Sequence, residues 1–157
     1  MRKLIYIAPV ILVIFAVLFF GKKDDPKHFE ELISGMIRTA NEKNLADFMD
    51  FFSINYKDSS GANYTLINNV VKSYFERFDS FEAAYEDFSV SILKDDEGRK
   101  TADVELEIIV SGVKNGTISN ELIGTSGHLK YLKLKFIKTG FNRWKIIMID
   151  GIEDAEY

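Results

Sequence analysis

The alternation of apolar and polar residues changes twice along the chain. From Leu4 to Gly21 the sequence reads LIYIAPVILVIFAVLFFG, 18 residues without a charge. As a helix rising about 1.5 Å per residue, this run spans roughly 27 Å, close to the hydrocarbon thickness of a bilayer. No polar face is left for water, which argues against a core helix, and Pro9 lies near the N-terminal end of the run, where a kink is tolerated. The pattern predicts one transmembrane helix.

From Asp25 the period becomes 3.6. Asp25 reads as an N-cap and Pro26 as the first helical residue, where its fixed φ is helical and its missing N–H costs nothing. Phe29, Leu32, Ile33, Met36, Ile37 and Ala40 then form one stripe, so a helix is predicted to about Asn41. Asn44 caps a shorter helix carrying Leu45, Phe48, Met49 and Phe52, which fades at Ser53. Residues 53–63 are rich in Ser, Asn, Asp and Gly and predict a structured loop. Asn63 caps a third helix with Leu66, Ile67, Val70, Val71, Tyr74, Phe75 and Phe78 on one stripe.

After Asp79 the period drops to 2. Phe88, Val90 and Ile92 alternate with Asp87, Ser89 and Ser91; Asp95 to Gly98 turns the chain; Ala102, Val104, Leu106, Ile108 and Val110 alternate with Asp103, Glu105 and Glu107. This predicts a hairpin, with the stretch from Phe81 to Leu93 open as one strand or two. Asn115-Gly116 favours a type I′ turn, while residues 112–127 are too irregular for strand boundaries. A further strand carries Leu132, Leu134 and Phe136, and the last carries Trp144, Ile146 and Met148. Asp103, Glu105 and Glu107 share the solvent-side parity of one strand, Lys133 and Lys135 that of a later one. If those strands pair, the columns attract and help fix register. The expected fold is α+β, three helices packed on one face of a curved antiparallel sheet and preceded by one transmembrane helix, with an anchor at 1–23 and a domain at 24–157.

Charge sharpens this picture. The 157 residues include 20 basic and 24 acidic side chains, but residues 1–23 hold four basic ones and no acid, so the rest carries 16 against 24, a net of −8. That disfavours nucleic-acid binding. Arg2 and Lys3 outweigh Lys22 and Lys23, which are followed by Asp24 and Asp25, so the expected orientation is N-terminus cytoplasmic and domain extracytoplasmic. The localisation is then a single-pass protein of the cell membrane, its domain periplasmic in a Gram-negative host. A cleaved signal peptide is the rival. Against it, the apolar run exceeds 7–15 residues, and a cut after Gly21 puts Phe19 where a small residue is wanted. The absence of Cys removes disulfides, thiolate metal sites and thiol catalysis.

The order of elements, the stretch Tyr56-x-Asp58-x-x-Gly61 after the short helix and the closing Gly140-x-x-x-Trp144-Lys145-Ile146 resemble the nuclear transport factor 2-like, or SnoaL-like, cone over nearly all of residues 26–157. The resemblance implies an interior between the concave sheet face and the helices that in relatives holds a small molecule, a catalytic pair or nothing. By strand parity it is lined here by Val104, Leu106, Leu132, Leu134, Phe136, Trp144, Ile146 and Met148, with Tyr74, Phe75 and Phe78 from the third helix. Tyr74, Phe78, Leu106, Leu134, Trp144 and Met148 are the candidate ligand contacts. A filled hydrophobic core is the more ordinary expectation for such a lining.

Catalytic members of the fold that this chain resembles commonly use a buried acid as general base. Asp150, which shares the parity of Trp144, Ile146 and Met148, is the candidate here, with Tyr74, Tyr85 or Tyr131 as a donor; the competing expectation is a solvated Asp at a strand end. Asp58 is expected to bond loop backbone. His28 and His128 lack companions at metal spacing, so no metal and no cofactor is expected. The leading expectation is a membrane-anchored, non-enzymatic binding domain for a protein partner, a second copy or a small apolar ligand. The alternative is a small isomerase-, dehydratase- or cyclase-type enzyme using Asp150.

Overall fold

Two asparagines set the helix starts that their spacing predicts. Asn44 accepts a hydrogen bond from the backbone N–H of Asp47 at 3.2 Å, and Asn63 accepts one from Leu66 at 3.0 Å, each meeting a donor that the first turn leaves free. In the computed structural model, which describes residues 26–125 and 128–151, the helices are α1 (Pro26–Asn41), α2 (Leu45–Met49) and α3 (Tyr64–Arg77). Five strands follow: β1 (Ser80–Lys94), β2 (Lys100–Lys114), β3 (Thr117–Ile123), β4 (Lys130–Gly140) and β5 (Arg143–Asp150). The predicted anchor and the boundary at residue 23 lie outside the described residues, among which no helix is long and apolar enough to cross a membrane.

The sheet is antiparallel in the order β1-β2-β4-β5, with β3 also on β2. β2 organises it. One edge pairs with β1 along nearly the whole strand; the other pairs with β4 from Thr101 to Ile108 and with β3 from Val110 to Lys114. The four-strand meander expected from sequence thus gains a fifth strand. Asn115 and Gly116 have φ of 55° and 72°, as a type I′ turn requires, and fold β3 straight back onto β2. Two register shifts break the β2–β3 ladder and erase the period that would have revealed β3.

The stretch from Ser80 to Lys94 is one strand, bent by a bulge between Glu86 and Ser89 at Asp87, whose φ is 51°. A second bulge decides the site. Phe136 pairs with Ile146 but Lys135 pairs with Met148, so Ile147 has no opposite number. The alternation of β5 shifts there, and Trp144, Ile146 and Ile149 are its buried residues. The outer edge of β5 is met by the segment after α2: Ser53 donates to Ile146 O at 2.8 Å, Ile146 to Phe51 O at 2.8 Å, and Lys57 to Ile147 O at 3.1 Å.

α1 crosses the inner face. Near its start, the fully buried Phe29 meets Phe136 edge-on at 5.4 Å and Trp144 at 5.1 Å. At its end, the Asn41 side chain accepts a hydrogen bond from Phe81 N at 2.7 Å, tying the helix to the beginning of β1. On the outer face the charge columns meet as their parity predicts. Lys133 Nζ lies 2.9 Å from Asp103 and 3.3 Å from Glu105.

These bonds, to Asp103 first and then Glu105, hold the Lys133 ammonium above the usual lysine range. Burial, followed by a bond to Glu105, pushes the neighbouring Tyr131 phenol up as well. Groups with raised pKa values stabilise the fold below their ordinary range and lose that contribution as pH climbs through the folded-state value. Thermal stability should therefore fall above about pH 10. Because Lys133 is partly solvated, Lys133→Met should cost only about 0.5–1 kcal/mol, a loss that shrinks in high salt. Melting curves across pH and salt check both statements.

Candidate functional site

An apolar cavity of about 250 Å³ lies between the helices and the inner face of the sheet. Leu106, Ile108 and Val110 of β2, Leu132 and Leu134 of β4 and Ile149 of β5 form its floor. α1 supplies Ile33, Met36, Ile37 and Ala40; Phe48 and Phe52 close one side, and Phe81 and Ala83 of β1 with Leu122 and Ile123 of β3 close the other. The roof is α3, through Ile67, Val70, Val71, Tyr74 and Phe75. Among the described residues, Tyr74 is the one lining side chain with a nitrogen or oxygen atom.

The cavity exists because α3 stands off the sheet. Within the helix only Ile67 of the predicted stripe is buried; Val70, Val71, Tyr74 and Phe75 are half-buried, and Leu66 is exposed. Both ends of the helix are fixed. Before it, the buried Asp58 accepts hydrogen bonds from Ala62 N at 2.8 Å, Ser60 Oγ at 2.7 Å and the Tyr56 hydroxyl at 3.2 Å, closing the loop that leads into Asn63. After it, Phe78 is buried against Phe81 and lies over Gly112 of β2. Asp58→Ala removes the buried acceptor of this loop and leaves the buried Ala62 N–H without its side-chain partner. It should lower stability by about 2–3 kcal/mol, and Asp58→Asn, which keeps an acceptor, by less; denaturant titration of both variants tests this.

Of the residues proposed from sequence to contact a ligand, Tyr74, Leu106 and Leu134 line the cavity. Phe78 is buried beyond the roof, and Trp144 lies under Phe29 with Lys138 Nζ 5.5 Å from its ring centre. Met148 and Asp150 are placed differently from the parity argument. Past the bulge at Ile147 they stand opposite Lys135 and Lys133, the partners of the acidic column, so both belong to the outer face. Ile149 takes the inward place that the parity argument gave to its neighbours. Tyr131, considered as a partner for Asp150, is also outside and half exposed.

Among the described residues the lining therefore includes no carboxylate and no imidazole, and no group of three or more His, Asp or Glu is arranged to hold a metal ion. Val104, Phe136 and Ile146, read from sequence as lining, are buried away from the cavity; sequence reasoning gave the lining no residue of α1, α2 or β1, and it missed Leu122, Ile123 and Ile149 outright. The first two lie on the strand hidden by register shifts. Ile149 ends the run Ile146-Ile147-Met148-Ile149, apolar at every position and so silent about parity.

No protein-family model matches the chain, and no curated protein matches it in sequence. Solved structures do. A nuclear transport factor 2-like protein with a cystatin-like fold from Novosphingobium aromaticivorans superposes with a TM-score of 0.55 at 14% identity, covering 95% of this chain and 88% of that one. A protein of the same organism named as a proposed scytalone dehydratase gives 0.58 at 9% identity, over 78% of this chain and 79% of that one. Bd1075 of Bdellovibrio bacteriovorus gives 0.58 at 11% identity over 79% of this chain, which spans only 40% of Bd1075. The chain has the nuclear transport factor 2-like, cystatin-like fold.

Proposed function

We propose that this protein is a membrane-tethered, extracytoplasmic binding domain that takes a small apolar molecule into its cone without transforming it. The observation that carries the reading is the cavity itself, about 250 Å³ and lined, among the described residues, by apolar side chains and a single phenol. An apolar cavity of about 150 Å³ stays dry and accepts benzene, so by proportion this one suits a compact molecule of roughly ten carbons. The nearly uniform lining favours a ligand with at most one polar group, placed towards Tyr74. The tether is read from Leu4 to Gly21, with the amino terminus held in the cytoplasm by Arg2 and Lys3.

The enzyme alternative draws on the fold shared with the proposed scytalone dehydratase. Its candidate base, Asp150, stands across the sheet from the cavity, opposite Lys133. The binding reading needs no such base. Titrating naphthalene into the full-length protein in detergent, followed by the melting temperature and by recovery of the probe, tests the two together. Raised stability with the probe recovered intact is expected. Filling the cavity with Ala83→Phe should weaken binding by about tenfold or more, since the probe and the new ring compete for the same volume. Binding indifferent to that substitution overturns the site, and a transformed probe overturns the non-enzymatic reading. For the tether, the protein should stay with the membrane pellet after alkaline extraction; a free mature chain beginning near Lys22 overturns it.

A further inference from the structure

We infer that the end of the sheet bearing the β4–β5 and β1–β2 turns docks on the bilayer surface, with Phe141 in the headgroup region and basic side chains against anionic lipid. The inference rests on the tether proposed above. It begins from where α1 starts. Phe29 packs on Trp144, Trp144 pairs with Lys138, and Gly140 pairs with Arg143, so the β4–β5 turn begins two residues beyond the Phe29 contact. Along the helix, Pro26 lies about 4.5 Å before Phe29, and Phe141, one residue past the Gly140–Arg143 pair, lies about 7 Å beyond the level of Trp144. The turn therefore reaches at least as far from the body of the domain as the helix start does. Only residues 22–25 separate Pro26 from the apolar run, a link of at most about 14 Å when extended. With Leu4 to Gly21 in the bilayer, this end of the domain meets the headgroups.

The surface at this end fits that neighbour. Thr101 pairs with Ile137, which brings the β1–β2 turn beside the β4–β5 turn. Of the seven large hydrophobic residues exposed among the described ones, Phe141, Ile92 and Leu93 lie here, Phe141 at 65% exposure. An aromatic ring at a turn tip flanked by cations is suited to the membrane interface, where the ring sits among headgroups and the cations meet anionic lipid. Arg143, Lys94 and Lys100 are exposed around it, while Lys27 lies with Glu30 and Glu31 at the start of α1. Asp95, Asp96 and Glu97 oppose them in the β1–β2 turn, but Arg99 lies 2.7 Å from Asp95 and 3.1 Å from Glu97 and offsets part of that charge. Ile118, in contrast, is exposed on β3 beside the β2–β3 turn at the far end of β2.

The chain has no Cys, so single positions can be labelled in the full-length protein. Phe141→Cys and Ile118→Cys, each carrying an environment-sensitive fluorophore, would be reconstituted into vesicles of phosphatidylcholine and phosphatidylglycerol at roughly three to one and exposed to quencher-bearing lipid. Quenching should be roughly twofold or more stronger at 141 than at 118, and the contrast should weaken on pure phosphatidylcholine, where the basic residues lose their counter-charge. Protein that floats with the vesicles but shows equal quenching at both positions overturns the docking while leaving the tether intact. Protein that fails to float with the vesicles removes the tether first, and the docking with it. Undiminished contrast on pure phosphatidylcholine overturns the anionic component.

Discussion

Gly112→Ala is expected to destabilise the domain by about 3 kcal/mol, the upper range for a group forced into a packed interior. A Cβ at this position would lie 2.6 Å from the Phe78 ring, a separation that real Cβ atoms essentially never show. Neither side yields easily. Gly112 pairs with Phe81 on one side and Asn120 on the other, and Phe78 is 1% exposed and enclosed by the rings of Tyr74 and Phe81. A double-mutant cycle isolates the cause. In a Phe78→Ala background the methyl group enters vacated space, so the penalty should fall below about 1 kcal/mol, measured by denaturant titration. Additive penalties would show that the ring is not what excludes a side chain. Because Phe78 ends the roof helix, the single substitution should also weaken binding of an apolar probe.

Phe29→Ala should be more damaging, by about 4 kcal/mol. The ring is fully buried and couples α1 to two strands at once, edge-on to Phe136 and tilted against Trp144. Its removal leaves a void that a helix tied to β1 through Asn41 cannot close by sliding. Trp144 is the chain's single tryptophan, which gives a direct readout. Its emission should move to longer wavelength in the folded variant as water reaches the indole, and Phe29→Leu should restore most of the stability. A native emission maximum combined with unchanged stability would mean that α1 is held chiefly by other contacts.

The helical half was legible because several signals agreed. Pro26, Asn44 and Asn63 marked starts, and stripes of apolar residues marked most of the inward faces; the bounds of α1 and α3 are as read, while the cap expected at Asp25 lies outside the described residues. The charge columns were legible for a similar reason, since acids on β2 and lysines on β4 favour the register they adopt. What escaped was wherever the period of 2 is interrupted. Asp87 and Ile147 each insert a residue into a ladder, and no residue type announces a bulge. In β5 the error was silent, because with Ile or Met at every position from 146 to 149 either parity reads as a buried strand. That one residue moved Asp150 from the supposed interior to the outer face. Whether the cone is hollow was also illegible: the same side chains fill a core or line a void, depending on how closely α3 approaches, and that distance is set at its ends by Asp58 and Phe78.

The contact of Phe29 with Phe136 and Trp144 also governs when the domain becomes whole. A chain is made from its amino terminus, and the rings that Phe29 packs against are joined to it more than a hundred residues afterwards. Until β5 is complete, the start of α1 lacks a ring that Phe29 packs against, although the rest of the helix already meets α2 and β1. Closure of the carboxy-terminal hairpin over Phe29 is thus the last step in completing the inner face. Chains ending before Trp144 should be cleared by proteases rather than accumulate as shorter working domains.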